Sequence, residues 1–294
     1  MQRRVLSSAG LCLLIGLLSC LVQPARGSAS PITTFINVGE GDAALLQDGS
    51  GFNVLIDGGK PGAGPAVLSA LRAHAATHLN VILASHADSD HIGGLISVLQ
   101  AGDIQVDAVE YNGYPGSTAT WTSFASAVAT RGLSLQPVQF PTQLAWGKMT
   151  VYVLNPAKNL SNPDQNDASE VVRVDEDGLR ELFTGDIDAT IEATVVARRT
   201  PLASQVLKVA HHGSAYSSGA PFLAAVQPED AVISVGQNSY GHPSNQAIAR
   251  LQAAGAAIYR TDLDGDIQVI NDGGGAFTLL PEYRFRVYLP VLSR

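Results

Sequence analysis

Three apolar runs in this chain each end in a cluster of side chains able to ligate a metal, and this arrangement restricts the fold more than any other feature. Leu79 to Ala84 is an apolar stretch broken only by Asn80, the pattern of a strand buried on both faces, and after Ser85 comes His86-Ala87-Asp88-Ser89-Asp90-His91. Phe183-Thr184-Gly185-Asp186 sets a carboxylate at the tip of a second strand, and Val206 to Val209 leads into Ala210-His211-His212-Gly213-Ser214. In an extended segment alternate side chains project the same way, so His86, Asp88 and Asp90 are expected to converge while His91 faces a neighbouring point. Two adjacent metal positions are the expected product. Taken singly, Asp186 also reads as a helix N-cap or turn residue, whereas tandem histidines before a glycine turn favour a site.

Cysteine plays no part in that chemistry. Residues 1–27 read as a signal peptide, with Arg3 and Arg4 as the charged start, an apolar stretch from Val5 to Val22, and Ala25-Arg26-Gly27 as the exit. Both cysteines, Cys12 and Cys20, fall inside it. The mature chain is therefore expected to be secreted or otherwise extracytoplasmic, without a disulfide, a thiolate ligand or a stable membrane span. Leu17-Leu18-Ser19-Cys20 is a weak lipoprotein box, so the alternative destination is a lipid anchor at Cys20. The formal charge of −8 argues against a broad basic face for nucleic acid, since phosphate binding normally rests on Lys and Arg.

With 46% hydrophobic and 15% charged residues the chain is an ordinary globular α/β protein, read as one domain over residues 28–280 with a C-terminal tail, residues 281–294, of unassigned role. Strands are predicted at Ile32 to Val38, Ala43 to Gln47, Asn53 to Ile56, Met149 to Leu154, Glu170 to Val174, Arg180 to Thr184, Gln205 to Val209, Ala231 to Val235, Ala257 to Tyr259 and Ile267 to Ile270. Helices are predicted at Gly62 to His78, from Ile92, at Thr120 to Thr130, Asp188 to Arg199, and Ser244 to Ala254. Strand runs and helices alternate in two blocks.

HxDxDH after a strand, then TGD, then LKVAHHGS resemble the metallo-β-lactamase fold, and specifically the metallo-β-lactamase-like domain of ComEC-type competence proteins. Phe35-Ile36-Asn37-Val38-Gly39-Glu40-Gly41-Asp42-Ala43, Leu55-Ile56-Asp57-Gly58-Gly59 and Ser239-Tyr240-Gly241-His242-Pro243 are similar to that subfamily too, with Asn37 and Glu40 standing where Asp and Gln are more usual. The resemblance implies a four-layer αββα sandwich, two mixed sheets flanked by helices, holding two divalent ions, Zn²⁺ or Mn²⁺. It implies one metal on His86 and Asp88, a second on Asp90, His91 and His211, and Asp186 bridging them, with His212 either replacing His211 or contacting substrate. Many relatives supply a middle histidine; residues 155–175 contain none, and Asn166-Asp167-Ala168-Ser169 stands in that place. Together with Asp88 for a second histidine, this shifts preference towards a harder ion such as Mn²⁺.

Asp57 and Asp42 are expected to support the ligands by hydrogen bonds. His242 is expected as a general acid or phosphate contact and Asp90 as part of the catalytic set. Substrate contacts are expected from His212, Ser214, Lys208 and Asn166, with Ser217 and Ser218 as further donors. His74 and His78, four apart on the predicted helix, read as a solvated face, and Leu263-Asp264-Gly265-Asp266 as a hairpin turn. The leading expectation is a secreted metal-dependent phosphodiesterase or nuclease using a metal-bridging hydroxide, on a small-molecule or nucleic-acid phosphodiester, with no protein partner evident. The rivals are a dinuclear hydrolase of a lactone, thioester or β-lactam bond, and a non-catalytic exported metal- or DNA-binding module.

Overall fold

The computed structural model describes residues 29–161 and 163–283. The predicted leader with Cys12 and Cys20, and most of the predicted tail, lie outside the described residues. In chain order the elements are β1 (Ile32–Phe35), β2 (Ala44–Gln47), β3 (Asn53–Ile56), α1 (Gly64–Ala73), β4 (His78–Ala84), α2 (Ser89–Gln100), β5 (Gln105–Tyr111), α3 (Ala119–Thr130), β6 (Leu135–Pro137), β7 (Thr142–Trp146) and β8 (Met149–Asn155). They continue with β9 (Val171–Glu176), β10 (Leu179–Phe183), α4 (Ala189–Ala197), β11 (Val206–Lys208), α5 (Ala220–Val226), β12 (Asp230–Ile233), α6 (Asn245–Ala253), β13 (Ala257–Arg260), α7 (Thr261–Asp264), β14 (Ile267–Gly273) and β15 (Ala276–Pro281).

Two mixed sheets result, in the orders β15-β14-β1-β2-β3-β4-β5-β6 and β13-β12-β11-β10-β9-β8-β7. Period-2 alternation assigns their faces. Val54, Ile56, Val81 and Leu83 turn inward onto Val151, Val172, Phe183, Val206 and Val232 of the other sheet, while Leu55, Ile82 and Ala84 turn outward onto α1, α2 and α3. Leu182, Leu207, Ala231 and Ile233 face α4, α5 and α6 on the opposite flank. The αββα order of layers follows directly from which strand residues are odd and which even. No helix among the described residues is long and apolar enough to cross a membrane.

What positions the site is strand direction. β3, β4 and β5 run parallel in the first sheet, and β10, β11, β12 and β13 run parallel in the second. The loops leaving β3, β4, β10, β11 and β12 therefore emerge where strand C-termini gather, the usual place for a site in parallel α/β sheets.

Three local expectations change and four strands are added. α1 stops at Ala73, and His78 opens β4, so His74 and His78 share no helix. α2 begins at Ser89 with Asp88 as its N-cap, which puts Asp90 and His91 on a helical turn rather than in an extended loop. Leu263 to Asp266 is no hairpin: α7 and Gly265, with φ of 73°, carry the chain from the second sheet back to the first. β5, β6, β7 and β15 carry no expectation; β15 reaches Pro281, into the segment set aside as a tail.

Candidate metal centre

Asp57 leaves β3 with a positive φ of 57° and binds the loop after β4 at several points. Its Oδ1 accepts the Ser85 backbone N–H at 2.8 Å; its Oδ2 accepts the Ser85 hydroxyl at 2.6 Å and lies 2.8 Å from His91 Nδ1. That last contact fixes the proton of the fully buried His91 on Nδ1 and leaves Nε2 facing Asp186 Oδ1 at 3.3 Å. Burial opposes a charged His91 imidazole, but Asp186 and Asp57 outweigh it and hold its pKa well above the usual histidine range, so a cation taken up at Nε2 displaces a proton.

His86 is equally buried, its ring centroid 4.1 Å from that of His91 with the planes tilted by 51°, and Ser85 Oγ lies 3.1 Å from its Nδ1. Burial, reinforced by the neighbouring His91, pushes its pKa down to about 4, so it is neutral with a free Nε2 lone pair. Asp88 Oδ2 lies 3.7 Å from that Nε2, and the Asp88 side chain makes no capping bond to α2. Burial raises the Asp88 carboxyl.

The second sheet supplies the facing donors. Gly185 has φ of 50°, and a Cβ there would come within 2.7 Å of Ser169 Cβ; the Ser169 hydroxyl in turn accepts the Asp186 backbone N–H at 3.0 Å. Asp186 then divides its oxygens, Oδ1 towards His91 and Oδ2 towards His212 Nε2 at 3.4 Å and His211 Nε2 at 3.9 Å. Burial would raise this carboxyl, but His212 and His91 hold it well below the usual range. His211, His212 and Gly213 follow β11 in three successive left-handed conformations, φ of 51°, 51° and 82°. Two non-glycine residues held there store strain at a site, and the turn sends the adjacent imidazoles to different places.

The structure decides between those two histidines. His212 is buried, gives Nδ1 to the Ser234 carbonyl at 2.9 Å, and directs Nε2 at Asp186 Oδ2 and at Asp90 Oδ2, 3.6 Å away. His211 has 30% of its side chain exposed and makes only the 3.9 Å approach. The expectation of His211 as ligand is therefore corrected: His212 stands with the donors, and His211 faces the cleft beside His242, ring centroids 5.4 Å apart. Asp90 is kept far below the usual carboxylate range because the nearby imidazoles of His212 and His91 outweigh burial.

Lys208 is corrected too. Its ammonium is buried, 2.5 Å from Asp42 Oδ2 and 2.8 Å from the Val209 carbonyl, so it points away from any substrate. Asp42 Oδ1 lies 3.3 Å from His212 Nδ1; the shorter Ser234 carbonyl contact orients that ring, and Asp42 acts on it electrostatically. Ser214 is buried, its hydroxyl accepting the Tyr216 N–H at 3.3 Å, and the Ser217 hydroxyl donates to the Ile187 carbonyl at 2.8 Å; both shape the turn. The Asn166 Oδ1 is buried without a hydrogen bond.

His242 Nδ1 faces Glu40 Oε1 at 3.8 Å, and Glu40 Oε2 accepts the Gly236 N–H at 2.9 Å. Burial, then His211 and His212, lower the His242 pKa, which makes it a neutral N–H donor at neutral pH rather than an imidazolium acid. Ser85, Ser234 and Asn238 carry much of this geometry and were not singled out from sequence, whereas Ser169 lay in the segment noted in place of a middle histidine. Only Ser85, wedged between a buried strand and His86, offered a signal.

The donor set fits divalent ions. His86 Nε2, His91 Nε2, His212 Nε2 and Asp186 Oδ1 are buried and have no hydrogen-bond partner, an expensive condition unless a cation takes their lone pairs. The ligand atoms of His86, His91 and Asp186 lie within 4.8 Å of one another, as do those of Asp90, His91 and His212. Asp186 and His91 thus join two neighbouring positions, one near His86 and Asp88 and one near Asp90 and His212.

Comparison with known proteins agrees with this geometry. The family model for the metallo-beta-lactamase superfamily matches residues 36–237. Competence protein ComA of Neisseria gonorrhoeae is 31% identical over 94% of this chain, and ComE operon protein 3 of Bacillus subtilis is 29% identical over 72%. The chain spans only 37% and 27% of the length of those two proteins. The metallo-beta-lactamase fold protein YhfI from Bacillus subtilis superposes with a TM-score of 0.52 at 12% identity, over 85% of this chain and 99% of that one. The diiron β-hydroxylase CmlA from Streptomyces venezuelae superposes equally well, with a TM-score of 0.52 at 13% identity, over 83% of this chain and 54% of that one. Sandwich layers, strand-end donors and the matched span agree: the chain belongs to the metallo-beta-lactamase superfamily, whose metal-dependent hydrolase scaffold it keeps together with side chains able to hold divalent ions.

Proposed function

We propose that the chain is an exported metal-dependent phosphodiesterase acting on nucleic acid. The observation that carries the reading is the oxygen-rich donor set: Asp88, Asp90 and Asp186 alternate with His86, His91 and His212, and Ser169 occupies the region where many relatives place a further histidine. Such a set suits a harder ion, Mn²⁺ before Zn²⁺, and hard ions suit anionic phosphate oxygens. The relatives named for competence, together with Recombination protein 2 of Haemophilus influenzae, 28% identical over 80% of this chain, support a nucleic-acid substrate. Export rests on the leader read at residues 1–27.

His86, Asp88 and Asp186 would hold one ion, and Asp90, His91, His212 and Asp186 the other. Bound there, divalent ions supply Lewis acidity towards the phosphoryl oxygens and lower the pKa of water. The chain does the positioning. Asp57 and the Ser234 carbonyl fix the tautomers of His91 and His212, so that both present Nε2 to the cleft. Lys208 balances Asp42 beneath His212 and keeps a buried carboxylate from competing for the site's cations. His242, neutral and held at its backbone by Asn238, is placed to donate an N–H to the leaving oxygen, and partly exposed His211 to contact phosphate. The net charge of −8 confines contact to this cleft.

The test uses the purified mature chain with Mn²⁺ or Zn²⁺ on DNA, RNA and bis(4-nitrophenyl) phosphate, beside a lactone and β-lactam panel and an Asp186→Ala variant. Phosphodiester cleavage lost together with bound metal in the variant is the expected result. Cleavage of the panel alone, or metal bound without any turnover, would refute the reading.

A further inference from the structure

Tyr216 and Tyr240 have 80% and 75% of their surface exposed, more than any other large hydrophobic residue described. Single exposed apolar residues are ordinary, but these two rise from the two turns that carry the cleft histidines, Tyr216 four residues after His212 and Tyr240 two before His242. The turns are joined, since the Ser244 N–H donates to the Gly213 carbonyl at 2.8 Å and the His211 and His242 rings meet edge to face.

Both turns are stiff. The Tyr216 carbonyl accepts the Ala189 N–H at 2.9 Å, just past Asp186, and Arg250 clasps the same turn through the carbonyls of Ala215, Ser217 and Ser218. Asn238 Oδ1 accepts the N–H groups of Tyr240, Gly241 and His242, each at 3.0 Å, and the Tyr240 ring lies 5.7 Å from the His242 ring. Two planar side chains are thus presented on fixed backbone beside the donors, with little ordering left to do on binding. Lys208 is held by Asp42 and Arg250 by carbonyls, so neither offers its charge to track phosphates.

We infer that Tyr216 and Tyr240 are stacking platforms for nucleobases and make single-stranded or splayed nucleic acid the substrate class; this rests on the phosphodiesterase reading. A base face is free only outside a duplex, and stacking on an aromatic ring tolerates any base. Affinity gained this way depends less on salt than affinity gained from phosphate contacts.

The experiment measures binding of the full-length, Mn²⁺-loaded protein by fluorescence anisotropy to phosphorothioate strands of about ten thymidines, to an abasic strand of the same length and charge, and to the matching duplex. Tyr216→Ala and Tyr240→Ala are each expected to weaken binding of the thymidine strand about 5- to 100-fold, with Phe restoring it and the abasic strand unaffected. The wild type is expected to prefer the thymidine strand over both the abasic strand and the duplex. Alanine variants that bind thymidine strands as the wild type does, or that lose the same factor on the abasic strand, overturn the inference, as does a wild type indifferent to the presence of bases. Cleavage of ordinary oligonucleotides is scored separately. Tyrosine-dependent binding without cleavage upholds the stacking and refutes the phosphodiesterase, and cleavage without tyrosine dependence does the reverse.

Discussion

Replacing Lys208 by Met isolates the buried ion pair beneath the site. The Lys208 and Asp42 side chains are 4% and 7% exposed, and their charged atoms lie 2.5 Å apart. At an effective dielectric of about 20 that separation corresponds to roughly 7 kcal/mol of attraction, most of it offset by desolvation of both groups. Removing one partner leaves the desolvation of the other uncompensated, so Lys208→Met should cost about 3–5 kcal/mol at neutral pH. The sign with pH follows from Asp42. Its pKa is lowered in the native protein because Lys208, then His212, outweigh burial, so its stabilising contribution is present above the unfolded carboxylate pKa. Without Lys208 burial raises that pKa above the unfolded value, and the variant then loses stability as pH rises through it. Urea unfolding in EDTA should therefore show the gap between wild type and variant shrinking from pH 7 towards pH 4, where Asp42 can protonate. Lys208→Met with Asp42→Asn should recover more than half the loss at pH 7. A loss under about 1 kcal/mol, a gap independent of pH, or simple additivity in the double variant would each refute the pairing argument.

Asp57→Asn takes from His91 the acceptor that fixes its proton on Nδ1, and should weaken metal binding about 10- to 100-fold by calorimetry; unchanged affinity would show that the ring needs no such partner. His212→Ala should lower the number of tightly bound ions measured by mass spectrometry, whereas His211→Ala should retain them and alter only turnover or KM; the opposite pattern would restore His211 as the ligand. Far from the site, Glu181 is buried between the sheets with only the Thr33 hydroxyl to bond, and burial raises its carboxyl to about 7. Its protonated form is the one the fold favours, so this contribution to stability is complete below about pH 4.5 and is lost as pH rises through 7, on the order of 3 kcal/mol in all. Glu181→Gln should flatten that decline in thermal melts between pH 5 and 8, and an unchanged slope would count against a raised carboxyl.

How far the sequence was legible depends on how local the determining interaction is. The apolar run of residues 79–84 and the density of His and Asp after them were enough to place a buried strand and a donor loop, because burial and ligand type are properties of the residues themselves. α1 was extended too far because its apolar spacing runs on into β4, and only pairing with β5 turns His78 into a strand residue. β5, β6 and β7 escaped notice because edge and half-exposed strands leave a weak pattern.

By itself the sequence determined the gathering of histidine and carboxylate at three strand ends and the absence of thiol among them, and its resemblance to a family implied the layer order. Tertiary structure alone decided which atoms face inward. The choice of His212 over His211 comes from three left-handed residues and the Ser234 carbonyl, the tautomer of His91 from Asp57, and the burial of Lys208 from Asp42 in a strand-end loop of the other sheet. The reason is physical: hydrophobic periodicity is written along the chain, whereas the direction of a lone pair is set by hydrogen bonds to residues that only the packed sheets bring near.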